Sequence, residues 1–171
     1  MGTGQMLLTL SALVLLSLVV LRVTNGFLTT NNVLMETKFG ILSVSLATSI
    51  LEEAMGKAFD EKTAYEGVTE VTSDLSNIGT DGEIYPNFDD IDDFNNLSFS
   101  TYDTTIQSNR FARMYSAEYL VECKVGYINP ENPDQFTSNK TWHKKISVQV
   151  TTPSSTDTVK MSTVYSYFYY R

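Results

Sequence analysis

The chain is poor in the residues around which most enzymes and small secreted domains are built. Its one cysteine, Cys123, excludes an intrachain disulfide and any multi-cysteine zinc or iron–sulfur site. Its one histidine, His143, excludes a multi-histidine metal centre. Basic residues are scarce, 12 Lys+Arg against 20 Asp+Glu for a net charge of −8. That balance argues against a nucleic-acid surface, which needs clustered cations to displace phosphate counterions. Charge of either sign is missing from residues 1–21, and Arg22 is the only charged residue before Glu36. Against these absences stands a hydrophobic fraction of 42% over 171 residues, too high for a disordered chain and enough for one domain with an appendage.

The hydrophobicity is concentrated at the N-terminus. Met6–Leu21 (MLLTLSALVLLSLVVL) is interrupted only by Thr9, Ser11 and Ser17. A spanning helix wants about 20 apolar residues, and uncharged flanks with a snorkelling Arg22 extend this run toward that length. The segment is therefore expected to enter a membrane. Orientation is not set by charge, because MGTG carries no basic residue and Arg22 lies beyond the run.

Asn25-Gly26, a helix-weakening pair, is the place where this helix is open to a break. Helical patterning resumes from Phe27 to Phe59. One stripe is Phe39, Leu42, Leu46, Ile50, Ala54 and Ala58; a second is Ile41, Val44, Thr48, Leu51, Met55 and Phe59. Together they leave Phe39–Leu51 apolar or small nearly all round, more than one core covers. Such a helix needs several neighbours, its own sheet on one flank and copies of itself on the other. Its end is expected near Phe59-Asp60-Glu61-Lys62.

The opening Gly4-Gln5-Met6-Leu7-Leu8 followed by an apolar helix resembles a type IV pilin or type II secretion pseudopilin. Leu46-Ala47-Thr48-Ser49-Ile50-Leu51-Glu52-Glu53-Ala54, ending in Lys57-Ala58-Phe59-Asp60, resembles the lower helix of the same family. The resemblance covers only the part of the chain before Glu61. It implies a short leader, residues 1–4, cut after Gly4 by a prepilin peptidase to leave Gln5 at the new terminus. It also implies a transmembrane and filament-core helix over 5–26 and a stalk over 27–62. Assembly would run through Leu7, Leu10, Leu13, Val14, Leu18, Leu21, Phe39, Leu42, Leu46 and Ile50. The implied partners are copies of the chain and an inner-membrane assembly machinery, and the implied location is the membrane before assembly and the cell surface after it. Thr9 stands where the family usually carries Glu. Two other readings stay open: a single-pass anchor whose helix continues as a stalk, and a secreted domain whose signal is removed near Thr24-Asn25-Gly26.

Beyond the helix the periodicity turns to two. After a break at Met114, Ala117, Tyr119, Val121, Cys123, Val125 and Tyr127 alternate with polar positions, a strand with one buried face. Asn129–Asp134 reads as a turn-rich loop. Trp142–Thr152 reads as a second strand with Trp142, Lys144, Ile146, Val148 and Val150 on one face, and Val159–Tyr170 as a third. The last of these carries Val164, Phe168 and Tyr170 on its other face, an expected contact with another chain. The expected fold is α+β: a long N-terminal hydrophobic helix packed on a C-terminal antiparallel meander, the head occupying 111–171 and a connecting region 63–110. Cys123 falls on the apolar face as a small buried hydrophobe.

The connecting region holds the most unusual composition, Asp89-Asp90-Ile91-Asp92-Asp93-Phe94-Asn95. Its carboxylates repel one another unless solvated or neutralised. A solvated acidic loop is one reading; a calcium site drawing on Asp89, Asp90, Asp92, Asp93 and Asn95 is the other. The EF-hand spacing is absent. Phe88, Ile91 and Phe94 are expected to pin the loop. No other cofactor and no catalytic role is expected. His143 is isolated, no Ser or Cys sits in a nucleophile elbow, and no phosphate-binding glycine loop occurs. The sequons at Asn96 and Asn139 signify only where glycosylation machinery exists.

Overall fold

Thr3–Met55 is one unbroken α-helix, α1, in the computed structural model, which describes residues 2–65, 67–102 and 117–167. The expected break at Asn25-Gly26 does not occur. A single glycine costs a helix only about 1 kcal/mol relative to alanine, too little to interrupt one of this length. Thr29 Oγ1 donates to the Asn25 carbonyl and Thr30 Oγ1 to the Gly26 carbonyl, each at 3.0 Å. The chain divides into two units, residues 1–38 and 39–171. In the first, the described residues from Thr3 on are helical and every one is solvent-exposed.

In the second unit, α1 stops at Met55, earlier than the pattern suggested. Gly56 follows, and Asp60 then caps the one-turn helix α2, Glu61–Ala64, accepting from Lys62 N at 3.3 Å. Among the described residues five strands form an antiparallel sheet: β1 Ser98–Ser100, β2 Leu120–Asn129, β3 Asn132–Thr137, β4 His143–Thr151 and β5 Thr158–Ser166. The order is β1-β2-β4-β5, with β3 also pairing β2. β2, β4 and β5 are the expected meander; the ends of the third strand at Phe168, Tyr169 and Tyr170 lie outside the described residues, as does Met114.

Two strands were not expected. β3 occupies part of the turn-rich loop: the tight connection is Pro130-Glu131, and Asn129 pairs Asn132 across it. Pro133 is tolerated because β3 is an exposed edge that needs no donor at every position. On the outer face Phe136 lies over Gly126, where a Cβ would sit 2.6 Å from its ring. β1 comes from the connecting region and pairs the other end of β2, Phe99 opposite Val121. Between β1 and β3 the same edge of β2 is served by the acidic loop. Cys123 N donates to Leu97 O at 2.8 Å and Val125 N to Asn95 Oδ1 at 3.1 Å.

The sheet's inner face (Val121, Cys123, Val125, Ile146, Val148, Val150) packs on Phe39, Leu46, Ala47, Ile50, Leu51 and Ala54 of α1. Phe88, Ile91 and Phe94 close the core from the connecting region, as their spacing suggested. Phe88 and Phe94 meet edge-to-face with centroids 5.1 Å apart. Cys123 is 5% exposed, and burial pushes its thiol up to about 12, so it packs as a hydrophobe.

Candidate functional site

Two features stand apart from an ordinary core. The first is the surface of α1 before the head. Leu7, Leu10, Leu13, Val14, Leu18 and Leu21 are all exposed, from 54% for Val14 and Leu18 to 68% for Leu7. The polar residues of this stretch turn back on their own helix: Thr9, Ser11 and Ser17 hydroxyls donate to the Met6, Leu8 and Leu13 carbonyls at 2.9 Å. Their hydrogen bonds therefore need no water, and the surface is suited to lipid or to other apolar chains. This is the one helix among the described residues long and apolar enough to cross a membrane. Gly4 and Gln5 lie in its first turns. Phe39, Leu46 and Ile50, expected among the assembly residues, are instead covered by the head's own sheet, with Leu42 half-buried beside them. The apolar residues this segment leaves at the surface are Ile41 and Val44.

The second feature is a buried ionic cluster where the end of α1, the acidic loop and β4 meet. Lys144 is fully buried, and its Nζ donates to Asp92 Oδ1 at 2.6 Å, Asp60 Oδ1 at 2.7 Å and the Phe59 carbonyl at 2.8 Å. All three ammonium protons have acceptors. The rings of Phe59 and Tyr127 lie 4.7 and 5.1 Å from the same nitrogen, adding cation–π attraction. Asp60 also accepts from Ser76 N at 2.9 Å, and the Tyr127 hydroxyl stands 3.2 Å away. Burial by itself would raise the Asp60 carboxyl. The charge and hydrogen bond of Lys144, with those of Ser76, outweigh it and hold Asp60 below the ordinary carboxylate range.

The acidic loop is therefore not solvated. Asp90, Asp92 and Asp93 are buried, and part of their repulsion is relieved by a lysine from a distant strand. Nor does the expected calcium set come together as read. Asp92 is bound to Lys144, and the Asn95 side chain is committed to Val125 N. The structure instead gathers Glu61 with Asp89 and Asp90, and Glu83 with Asp89 and Asp93, each trio with carboxylate oxygens within 4.8 Å of one another. Glu61, Glu83 and Lys144 are not among the site residues that the sequence pattern marks. Only Lys144 carried a signal, a charge in register with Ile146, Val148 and Val150.

Desolvation, then the charge of Asp92, raises Asp90 to about 9; desolvation raises Asp93 to about 7 and also raises Asp92. The folded head thus holds protons that an unfolded chain, with carboxyls near pKa 4, releases. Stability contributed this way is present at low pH and is lost as pH rises through the folded values. Asp60 acts oppositely, its contribution disappearing only as pH falls through its lowered pKa. In buffer with EDTA, the head's melting temperature is expected to be higher at about pH 5 than at about pH 8.5. A thermal melt followed by Trp142 fluorescence checks this, and a flat or rising profile contradicts it.

No protein-family model, curated protein or solved structure matches the chain.

Proposed function

We propose that the chain is a structural subunit of a type IV pilus-like filament that polymerises through α1, with the β-rich head carried on the filament surface. The observation that carries this reading is the uncovered apolar surface of a helix far longer than a membrane requires. A bilayer occupies about 20 residues of helix. α1 has 53, and Val33, Leu34, Ile41 and Val44 remain exposed beyond the most apolar run. A monomeric anchor leaves those side chains in water, whereas a bundle of like helices buries them at about 25 cal/mol per Å² of apolar area. The internally bonded hydroxyls of Thr9, Ser11 and Ser17 let one surface serve in lipid and in a helical bundle. The opening Gly4-Gln5-Met6-Leu7-Leu8 adds the family resemblance, with a leader cut after Gly4. In this account the subunit waits in the membrane and is then drawn into the filament, neighbouring chains replacing lipid around α1. Chemistry is not its task, and its principal partners are further copies of itself.

Deleting residues 1–35 tests the division of labour. The truncated chain is expected to be soluble and monomeric with a cooperative melt, and to be absent from any filament. A truncated chain that still co-assembles with the full-length protein overturns the reading.

A further inference from the structure

The five carboxylates of Glu61, Glu83, Asp89, Asp90 and Asp93 crowd one side of the ionic cluster, and Lys144 neutralises none of them directly. Among the described residues no Lys or Arg forms an ion pair with any of the five. Backbone amides satisfy part of the group: Asp89 N donates to Glu83 Oε2 and to Asp93 Oδ2, both at 3.1 Å, and Asp90 Oδ1 accepts from Asp92 N at 2.9 Å. The rest is unmet. Asp90 is 1% exposed, yet its Oδ2 has no hydrogen-bond partner, and both buried oxygens of Asp89 are met by no donor in good geometry. Buried carboxylates left in this condition are costly unless protonated or joined to a cation.

We propose that Glu61, Asp89 and Asp90 bind a divalent cation of calcium's chemistry; Glu83 and Asp93 form a second oxygen trio with Asp89. Calcium lies 2.3–2.6 Å from its oxygens, so oxygens within 4.8 Å of one another can share one ion. The donors are all hard oxygens, and Glu61 is half-buried, leaving a solvent side for water ligands. Magnesium fits less well, since it demands a tight octahedron and gives up water reluctantly. Glu61 opens α2, Glu83 and Asp89 belong to the connecting loop, and Asp90 bridges to Ala58 beside the end of α1. The ion thus ties the segment after α1 to the loop that pins the sheet. This inference does not depend on filament assembly.

The test uses the full-length protein in detergent, stripped of metal, melted at about pH 8 in EDTA, in millimolar MgCl₂ and in millimolar CaCl₂. Calcium is expected to raise the melting temperature by several degrees, magnesium by clearly less, and excess EDTA to reverse both. Glu61→Gln is expected to weaken the calcium response at least tenfold in the concentration needed. Asp90→Asn, whose side-chain oxygen can still accept from the Asp92 and Asp93 amides, is expected to keep the EDTA melting temperature while losing the calcium response, which separates binding from folding. Identical melts in EDTA and CaCl₂ overturn the proposal, as does an undiminished calcium response in both variants.

Discussion

Lys144→Met is expected to destabilise the head by about 3–5 kcal/mol, a large share of the roughly 5–15 kcal/mol that holds a domain folded. The native ammonium sits between Asp60 and Asp92 with no solvent contact. Removing it leaves two buried carboxylates that have already lost their water, and either they take up protons or the site opens. Two comparisons isolate the mechanism. Adding Asp92→Asn to Lys144→Met should recover part of the loss, because it deletes one of the stranded charges. Lys145→Met, one residue along β4, should cost less than about 1 kcal/mol. Its amine pairs with Asp134 at 3.2 Å, and that aspartate's side chain is 92% exposed. Urea unfolding of the three variants measures all of this. Equal losses for Lys144→Met and Lys145→Met would mean that the buried cluster does not secure the head.

Val20→Asp is expected to abolish filament formation. The side chain lies in the middle of the exposed apolar surface of α1, and among packed helices a carboxylate there has neither water nor a cation. In a bilayer the same aspartate costs about 2.5–3.5 kcal/mol on an insertion scale, so the amount of variant reaching the membrane must be measured alongside assembly. Ile41→Asp separates the two effects. Ile41 is 64% exposed and lies well past the apolar run that a bilayer takes up, so membrane insertion should be untouched while filament yield falls. Val20→Leu should assemble normally. Filaments at wild-type yield from both aspartate variants would remove the basis for helix-driven assembly.

The parts of this structure that could be read from the sequence are those governed by periodicity. The charge-free run from Met6 to Leu21 announces a long apolar helix, and the alternation from Ala117 to Tyr127 announces a strand with Val121, Cys123 and Val125 inward. Where local propensity stood alone it misled. Asn25-Gly26 looked like a break, but one weak pair does not interrupt a helix this long, where each added residue propagates an existing nucleus. Pro130 and Pro133 suggested a loop and concealed β3, since an edge strand can carry proline. The ionic cluster was half visible. Crowded aspartates signalled that something must neutralise them, but periodicity does not say which distant chain segment arrives. Folding brought Lys144 from β4 to Asp92, and Glu61 and Glu83 to Asp89. A lysine in register with Ile146 and Val148 was the one mark of a buried cation partner.

Material sheared from the surface of cells that express the chain, imaged by electron microscopy and identified by mass spectrometry, bears most directly on the proposed assembly. Thin fibres containing this protein as a repeating subunit, its first residue Gln5, are the expected result. Shearing that releases no fibre containing it, with the full-length protein monomeric in the membrane, would contradict the account.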